Sequence, residues 1–207
     1  MVDIQAVMAN DSLIDAALKA ALGARYATAG RHYHGIAHVE ALLALARTCR
    51  LCDPRAVEAA IWFHDAIYDS RRGDNERRSA DLAREMLAGR IDARRLERIA
   101  TMIEATAIHE PPVFDDERAS RDAALFLDMD LSILGSDPQA FDAYEDAVRR
   151  EYGWVGEDDW KAGRGAVMKT FLARPRIFHT EEFRRLEAPA RENIARSLAR
   201  LAGGGDG

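Results

Sequence analysis

Apolar residues recur at intervals of three and four along nearly the whole chain, the spacing that places them on one face of an α-helix. Between Ser12 and Leu22 the pattern runs through Leu13, Ile14, Ala17, Leu18 and Ala21, with Asp11 or Ser12 as the expected N-cap. Val39, Leu42, Leu43 and Leu45 repeat it from Ile36 to Thr48. Asp53-Pro54 then couples a capping residue to a proline at the first helical position. The following AVEAAIWFHDAIY is apolar on almost every side, which predicts a central, buried helix interrupted by Glu58, His64 and Asp65. Asp74 or Asn75 opens NERRSADLAREMLAG, which Gly89 closes, and Asp92 opens ARRLERIATMIEATAIH, which stops before Pro111-Pro112.

The same pattern continues through the second half. A helix begins near Asp116 and runs into AALFLDMDLSILG, where Gly135 offers a stop, and Asp137-Pro138 repeats the cap-and-proline signature before QAFDAYEDAVRREY. A segment from Asp158 to Ala173 follows, then a terminal one capped at Thr180 and reaching Leu201, which Pro189 is expected to kink or interrupt. No alternating pattern longer than four residues suggests a strand, and no repeat or Pro/Ser-rich linker divides the chain. Thirty-eight alanines against eight valines and six threonines point the same way. The expectation is an all-α fold of eight or nine helices of unequal length in one domain, residues 1–202, followed by a disordered tail at 203–207.

Composition narrows the function classes. Hydrophobic residues at 48% and charged residues at 31% are globular values and exclude a disordered chain, a coiled-coil rod or a membrane protein. With 29 basic and 35 acidic side chains the net charge is −6, which argues against a basic surface that coats nucleic acid. Arginine makes up 26 of the 29 basic residues, a choice that suits planar contacts to carboxylate or phosphate and equally suits a solvated surface. Cys49 and Cys52 stand at C-x-x-C spacing without a second pair to complete a zinc site, and are expected to be reduced thiols at a helix end. The N-terminus lacks a secretory pattern and no run of 18 apolar residues occurs, so a cytoplasmic protein, monomer or homodimer, is expected. A Gly-rich phosphate loop or dinucleotide motif is also absent from the sequence.

Candidate chemistry centres on six histidines. His32, His34 and His38 cluster in RHYHGIAHVE, while His64 stands beside Asp65 in the most apolar segment. A histidine and a carboxylate placed side by side in a buried helix are costly unless a charge compensates them, and a divalent cation does so. Other readings of the same residues are loop histidines that cap the next helix, a half-buried surface histidine at position 38, and a buried ion pair of His64-Asp65 with an arginine. Asp128 and Asp130 interrupt the apolar run FLDMDLSILG; if the segment is helical, both cannot face the same core, and one can serve as a cap. Together His38, His64, Asp65 and one late aspartate make a set of two imidazoles and two carboxylates on three helices.

The order YHGIAH (33–38), WFHDAIYD (62–69), LDMDLSILG (127–135) resembles the HD superfamily of metal-dependent phosphohydrolases, all-helical proteins named for the central dipeptide. The resemblance spans about 31–135, with 136–202 as helical elaboration. It implies that His38, His64, Asp65 and Asp130 bind one divalent ion, with Asp130 preferred to Asp128 because it directly precedes the leucine-containing turn. The ion is Mn, Fe, Ni, Co, Zn or Mg. YHGIAH is also similar to the start of cyclic nucleotide phosphodiesterase relatives, which maps a general-acid role onto His34. Asp69, one helical turn beyond Asp65 if the helix continues, matches an acidic position that orients water. The pattern around DNERRSA and ATAIH makes Asn75, Glu76 and His109 pocket candidates, and His109 a second-metal ligand if the site is dinuclear; the few remaining imidazoles, His109 and His179, favour a mononuclear one. Arg31, and with it Arg71 or Arg72, is a candidate phosphate clamp. The implied activity is hydrolysis of a phosphoester or phosphoanhydride of a nucleotide or other small phosphorylated metabolite; the alternative is a non-catalytic HD-fold module that binds a nucleotide or partner.

Overall fold

The computed structural model describes residues 12–203. Every regular element among them is helical: nine α-helices and two short 3₁₀ turns, with no strand, as the periodicity predicts. They are α1 (Ala16–Tyr26), α2 (Ile36–Ala46), α3 (Pro54–Phe63), α4 (Asn75–Leu87), α5 (Ala93–Ala105), α6 (Glu117–Leu131), α7 (Pro138–Glu151), α8 (Glu157–Ala173) and α9 (Glu187–Gly203). The chain divides into two compact units, the first running to Leu127 and the second starting at Asp128. That boundary falls inside α6 and within the stretch expected to carry the motifs.

In the first unit α3 is the hub, packing on α1, α2, α4 and α5. Seven of its ten residues are buried: Ala56, Val57, Ala59, Ala60, Ile61, Trp62 and Phe63. The three alanines leave room for neighbouring helices on several sides, so this segment needs no solvent face. Its start is held from two directions. Asp53 accepts from the Ala56 amide as N-cap, and the buried Asp122 accepts from the amides of Cys52 and Asp53, satisfying donors that the helix leaves open. Helices α4 and α5 pack on each other, and Arg84 reaches from α4 to Glu97 and Glu104 on α5.

The second unit is organised on α9, which packs on α8 and on both 3₁₀ turns, Ser132–Gly135 and Arg184–Leu186. The buried Asn193 donates to the carbonyls of Leu134 and Ser136. Across α7, α8 and α9 the largely buried Arg164 holds Tyr144 and Glu145, and Glu145 in turn accepts from the Ser197 hydroxyl, so each buried charge has a partner.

Several expected boundaries move, each for a visible reason. The first helix starts at Ala16, because Asp15 rather than Ser12 caps it by accepting from the Leu18 amide; Ser12 donates to Glu58, and Asp11 lies outside the described residues. The last helix starts at Glu187, which leaves Pro189 in its first turn, where the absent N–H has no helical partner to lose, so the helix continues through it without interruption. Thr180 spends its hydroxyl on Asp128 instead of capping a helix. Of the expected tail, Gly203 ends α9 and residues 204–207 lie outside the described part. The cysteines are free thiols, Cys49 half-buried and Cys52 exposed. No helix among the described residues is long and apolar enough to cross a membrane.

Candidate metal centre

The apolar run expected to be one helix through Tyr68 ends at Phe63, with His64 at the C-cap. The helix can stop there because its last carbonyls and those of the following turn find tertiary donors. The Tyr26 hydroxyl donates to the Trp62 carbonyl, Arg31 donates to the carbonyls of Asp65 and Ala66, and the Ser79 hydroxyl accepts from and donates to the backbone of Ile67. His64 and Asp65 therefore sit on a tight turn instead of a helix face, and their side chains can point to one place.

They point at His38 of α2. His64 Nε2 lies 3.2 Å from His38 Nε2 and 3.0 Å from Asp65 Oδ2, and His38 Nε2 lies 4.0 Å from the same oxygen. A triangle with sides 3.2, 3.0 and 4.0 Å has its equidistant point about 2.0 Å from each corner, close to the distance at which imidazole nitrogen and carboxylate oxygen hold a zinc-sized cation. The site is deep: His64 is 1% exposed, and its ring meets Phe126 edge-on at 5.8 Å.

The tautomer sharpens the chemistry. His64 Nδ1 lies 2.8 Å from the Ile61 carbonyl, which only accepts, so Nδ1 carries a proton and donates it. In the neutral ring Nε2 is then a bare lone pair facing a carboxylate oxygen and a second imidazole nitrogen. A neutral His38 can donate from Nε2 to that lone pair, but the 3.0 Å approach of the Asp65 oxygen is repulsive unless a proton or a cation lies between them. Burial works against ionisation of Asp65, yet the imidazoles of His64, His34 and His38 outweigh it and hold the carboxyl well below the usual range. By donor type and spacing, two imidazole nitrogens and a carboxylate oxygen within 4.8 Å of one another, the residues present could hold a divalent ion.

The remaining candidates divide between the edge of this cluster and structural work. His34 is not helical; it precedes Gly35, the N-cap of α2, yet its ring lies 6.3 Å from that of His38 and stacks on Tyr68 at 4.3 Å. Arg31 turns the fork expected to grip phosphate onto protein acceptors: the carbonyls of His34, Asp65 and Ala66 and the hydroxyl of Thr28. Asp69 is exposed and lies beyond the end of α3, so the expected helical relation to Asp65 does not hold; it accepts from the Arg71 amide. Asn75 is buried and clamps the backbone of Asp69 and Arg72, while the Arg72 side chain pairs with Asp74. Glu76 lies half-buried in the first turn of α4, and His109 follows α5 with a left-handed backbone, φ 49°. Neither supplies an atom to the three-atom cluster.

Asp128 and Asp130 both belong to the second unit. Both carboxylate oxygens of the fully buried Asp128 are committed, accepting from the amides of His179 and Thr180 and from the Thr180 hydroxyl. Asp130, two residues on, is half-buried. Sequence reasoning missed Tyr33, which lies 4.8 Å from the His38 ring, and Tyr68, which stacks on His34. Tyr33 directly precedes His34 and Tyr68 follows His64 by four residues, but local spacing cannot show that the Tyr68 ring meets His34, 34 residues earlier.

A scan against protein-family models, a search of curated proteins and a search of solved structures return no match to this chain. What the chain can do is therefore read from the geometry of its own cluster and the order of its motifs.

Proposed function

We propose that the protein is a metal-dependent phosphohydrolase of the HD type, acting on a phosphoester or phosphoanhydride of a small metabolite such as a nucleotide. The observation that carries this reading is the convergence of His38 Nε2, His64 Nε2 and Asp65 Oδ2 on a point at bonding distance from all three. These three residues hold one divalent ion. When bound, such an ion supplies Lewis acidity, polarising a phosphoryl oxygen and acidifying water. His34, beside the ligands but outside their set, donates a proton to the leaving oxygen as its bond to phosphorus breaks. Arg31 fixes the backbone of both segments that carry these groups.

The test is phosphate release from a panel of nucleotides and small phosphoesters by protein loaded with Mn²⁺. Metal-dependent release that disappears in Asp65→Asn is expected. A loaded protein inert on the whole panel favours the binding-module alternative, and unchanged release by Asp65→Asn overturns the site.

A further inference from the structure

The imidazole of His34 is bracketed by aromatic rings. Its face stacks on Tyr68, with centroids 4.3 Å apart and an interplanar angle of 24°, and it meets Tyr33 at right angles, 5.0 Å away. The Arg31 guanidinium lies 5.4 Å from the centroid of the Tyr68 ring and 5.1 Å from that of Tyr26, so the aromatic contacts continue from His34 through Tyr68 and Arg31 to Tyr26. The same guanidinium grips the His34 carbonyl at 2.8 Å and the carbonyls of Asp65 and Ala66 at 2.6 and 3.2 Å. It thereby ties the loop before α2 to the turn after α3, two segments more than 30 residues apart in sequence. Tyr26 closes the circle by donating its hydroxyl to the Trp62 carbonyl at 3.1 Å.

We infer that Tyr68 and Arg31 are positioning residues for His34: the ring of Tyr68 sets the plane of the imidazole, and the guanidinium sets the place of its backbone relative to the metal-binding turn. The catalytic meaning rests on the phosphohydrolase reading, while the positioning itself does not. The guanidinium group donates to three backbone carbonyls and the Thr28 hydroxyl and lies over two aromatic rings. A guanidinium with donors on three nitrogens can reach these spread acceptors while its delocalised charge lies against the rings, whereas an ammonium has its donors on one atom. A proton donor displaced by about 1 Å loses roughly two orders of magnitude in rate, so the stack matters to turnover without touching the ligands.

Three variants test this: Tyr68→Phe, which keeps the ring, Tyr68→Leu, which removes it, and Arg31→Lys, which keeps the charge and removes the fork. Tyr68→Leu is expected to bind one Mn²⁺ with wild-type affinity, to keep KM within about threefold, and to lose about 10- to 100-fold in kcat. Tyr68→Phe is expected to keep at least half the wild-type kcat, and Arg31→Lys to fall with Tyr68→Leu. A second readout needs no activity: the His34 ring protons, assigned by comparison with His34→Gln, are shifted upfield by the Tyr68 face in wild type and Tyr68→Phe, and return in Tyr68→Leu. Wild-type kcat in Tyr68→Leu, or a His34 resonance that stays upfield in that variant, overturns the inference, as does equal loss in Tyr68→Phe. If wild type hydrolyses nothing, the phosphohydrolase reading fails, and the resonance shift still decides the positioning.

Discussion

Replacing Asp128 with alanine separates the two aspartates of LDMD by their work. The Asp128 carboxylate is 0% exposed and accepts three hydrogen bonds, from the His179 amide at 2.8 Å, the Thr180 amide at 2.7 Å and the Thr180 hydroxyl at 2.6 Å. Each orphaned donor costs about 1–3 kcal/mol. Water entering the vacated space and relief from burying a carboxylate offset part of this, so Asp128→Ala should destabilise by about 3–5 kcal/mol, the range seen when one partner of a buried charged interaction is removed. For a chain of this length that lowers Tm by about 6–20 °C. Urea denaturation followed by circular dichroism measures the loss, and Thr180→Val, which removes one donor and keeps the shape, should show about 1 kcal/mol of it. Because both Asp128 oxygens are engaged by residues 179–180, the variant should bind Mn²⁺ at wild-type stoichiometry. A loss below about 1 kcal/mol, or loss of the ion from a folded variant, refutes the assignment of Asp128 as a clamp.

Other expectations follow from the same contacts. Asp122→Ala leaves the Cys52 and Asp53 amides without their acceptor at the start of α3 and should cost about 2–4 kcal/mol in the same denaturation assay. A Cβ on Gly135 lies 2.6 Å from the Leu186 Cβ and 2.7 Å from its carbonyl oxygen, so Gly135→Ala should destabilise by about 1–3 kcal/mol, and Leu186→Ala should not rescue it because that Cβ and the backbone remain. The Arg196 hydrogen bond, joined by Arg200 and opposed by slight burial, holds Asp142 below its ordinary range. A depressed folded value gives stability that is present above the unfolded value and lost as pH falls through the folded one. The Tm difference between wild type and Asp142→Asn should therefore be full near neutrality and shrink as pH drops below about 4.

The fold was largely legible because amphipathic spacing and capping chemistry are local. Asp53, Asp92 and Asp137 cap the helices they were expected to cap, and the run with apolar residues on nearly every side became the hub. What local pattern cannot report is a tertiary donor. The end of α3 at Phe63 depends on Tyr26, Arg31 and Ser79, far away in sequence, and that early end makes the His64-Asp65 turn and removes Asp69 from the helical place expected of it. The histidine and aspartate of the cluster were visible as polar residues that burial makes costly. Arg31 was visible too, but whether a guanidinium grips phosphate or carbonyls depends on which segment folds over it.

The central claim is that His38, His64 and Asp65 form a cation site. Titration of Mn²⁺ into metal-stripped protein, followed calorimetrically in parallel with His64→Ala and Asp65→Asn, addresses it directly. One ion per wild-type chain is expected, with the heat of binding abolished in both variants while their helical circular dichroism is kept. A wild-type chain that takes up no ion, or folded variants that bind as wild type does, contradicts it.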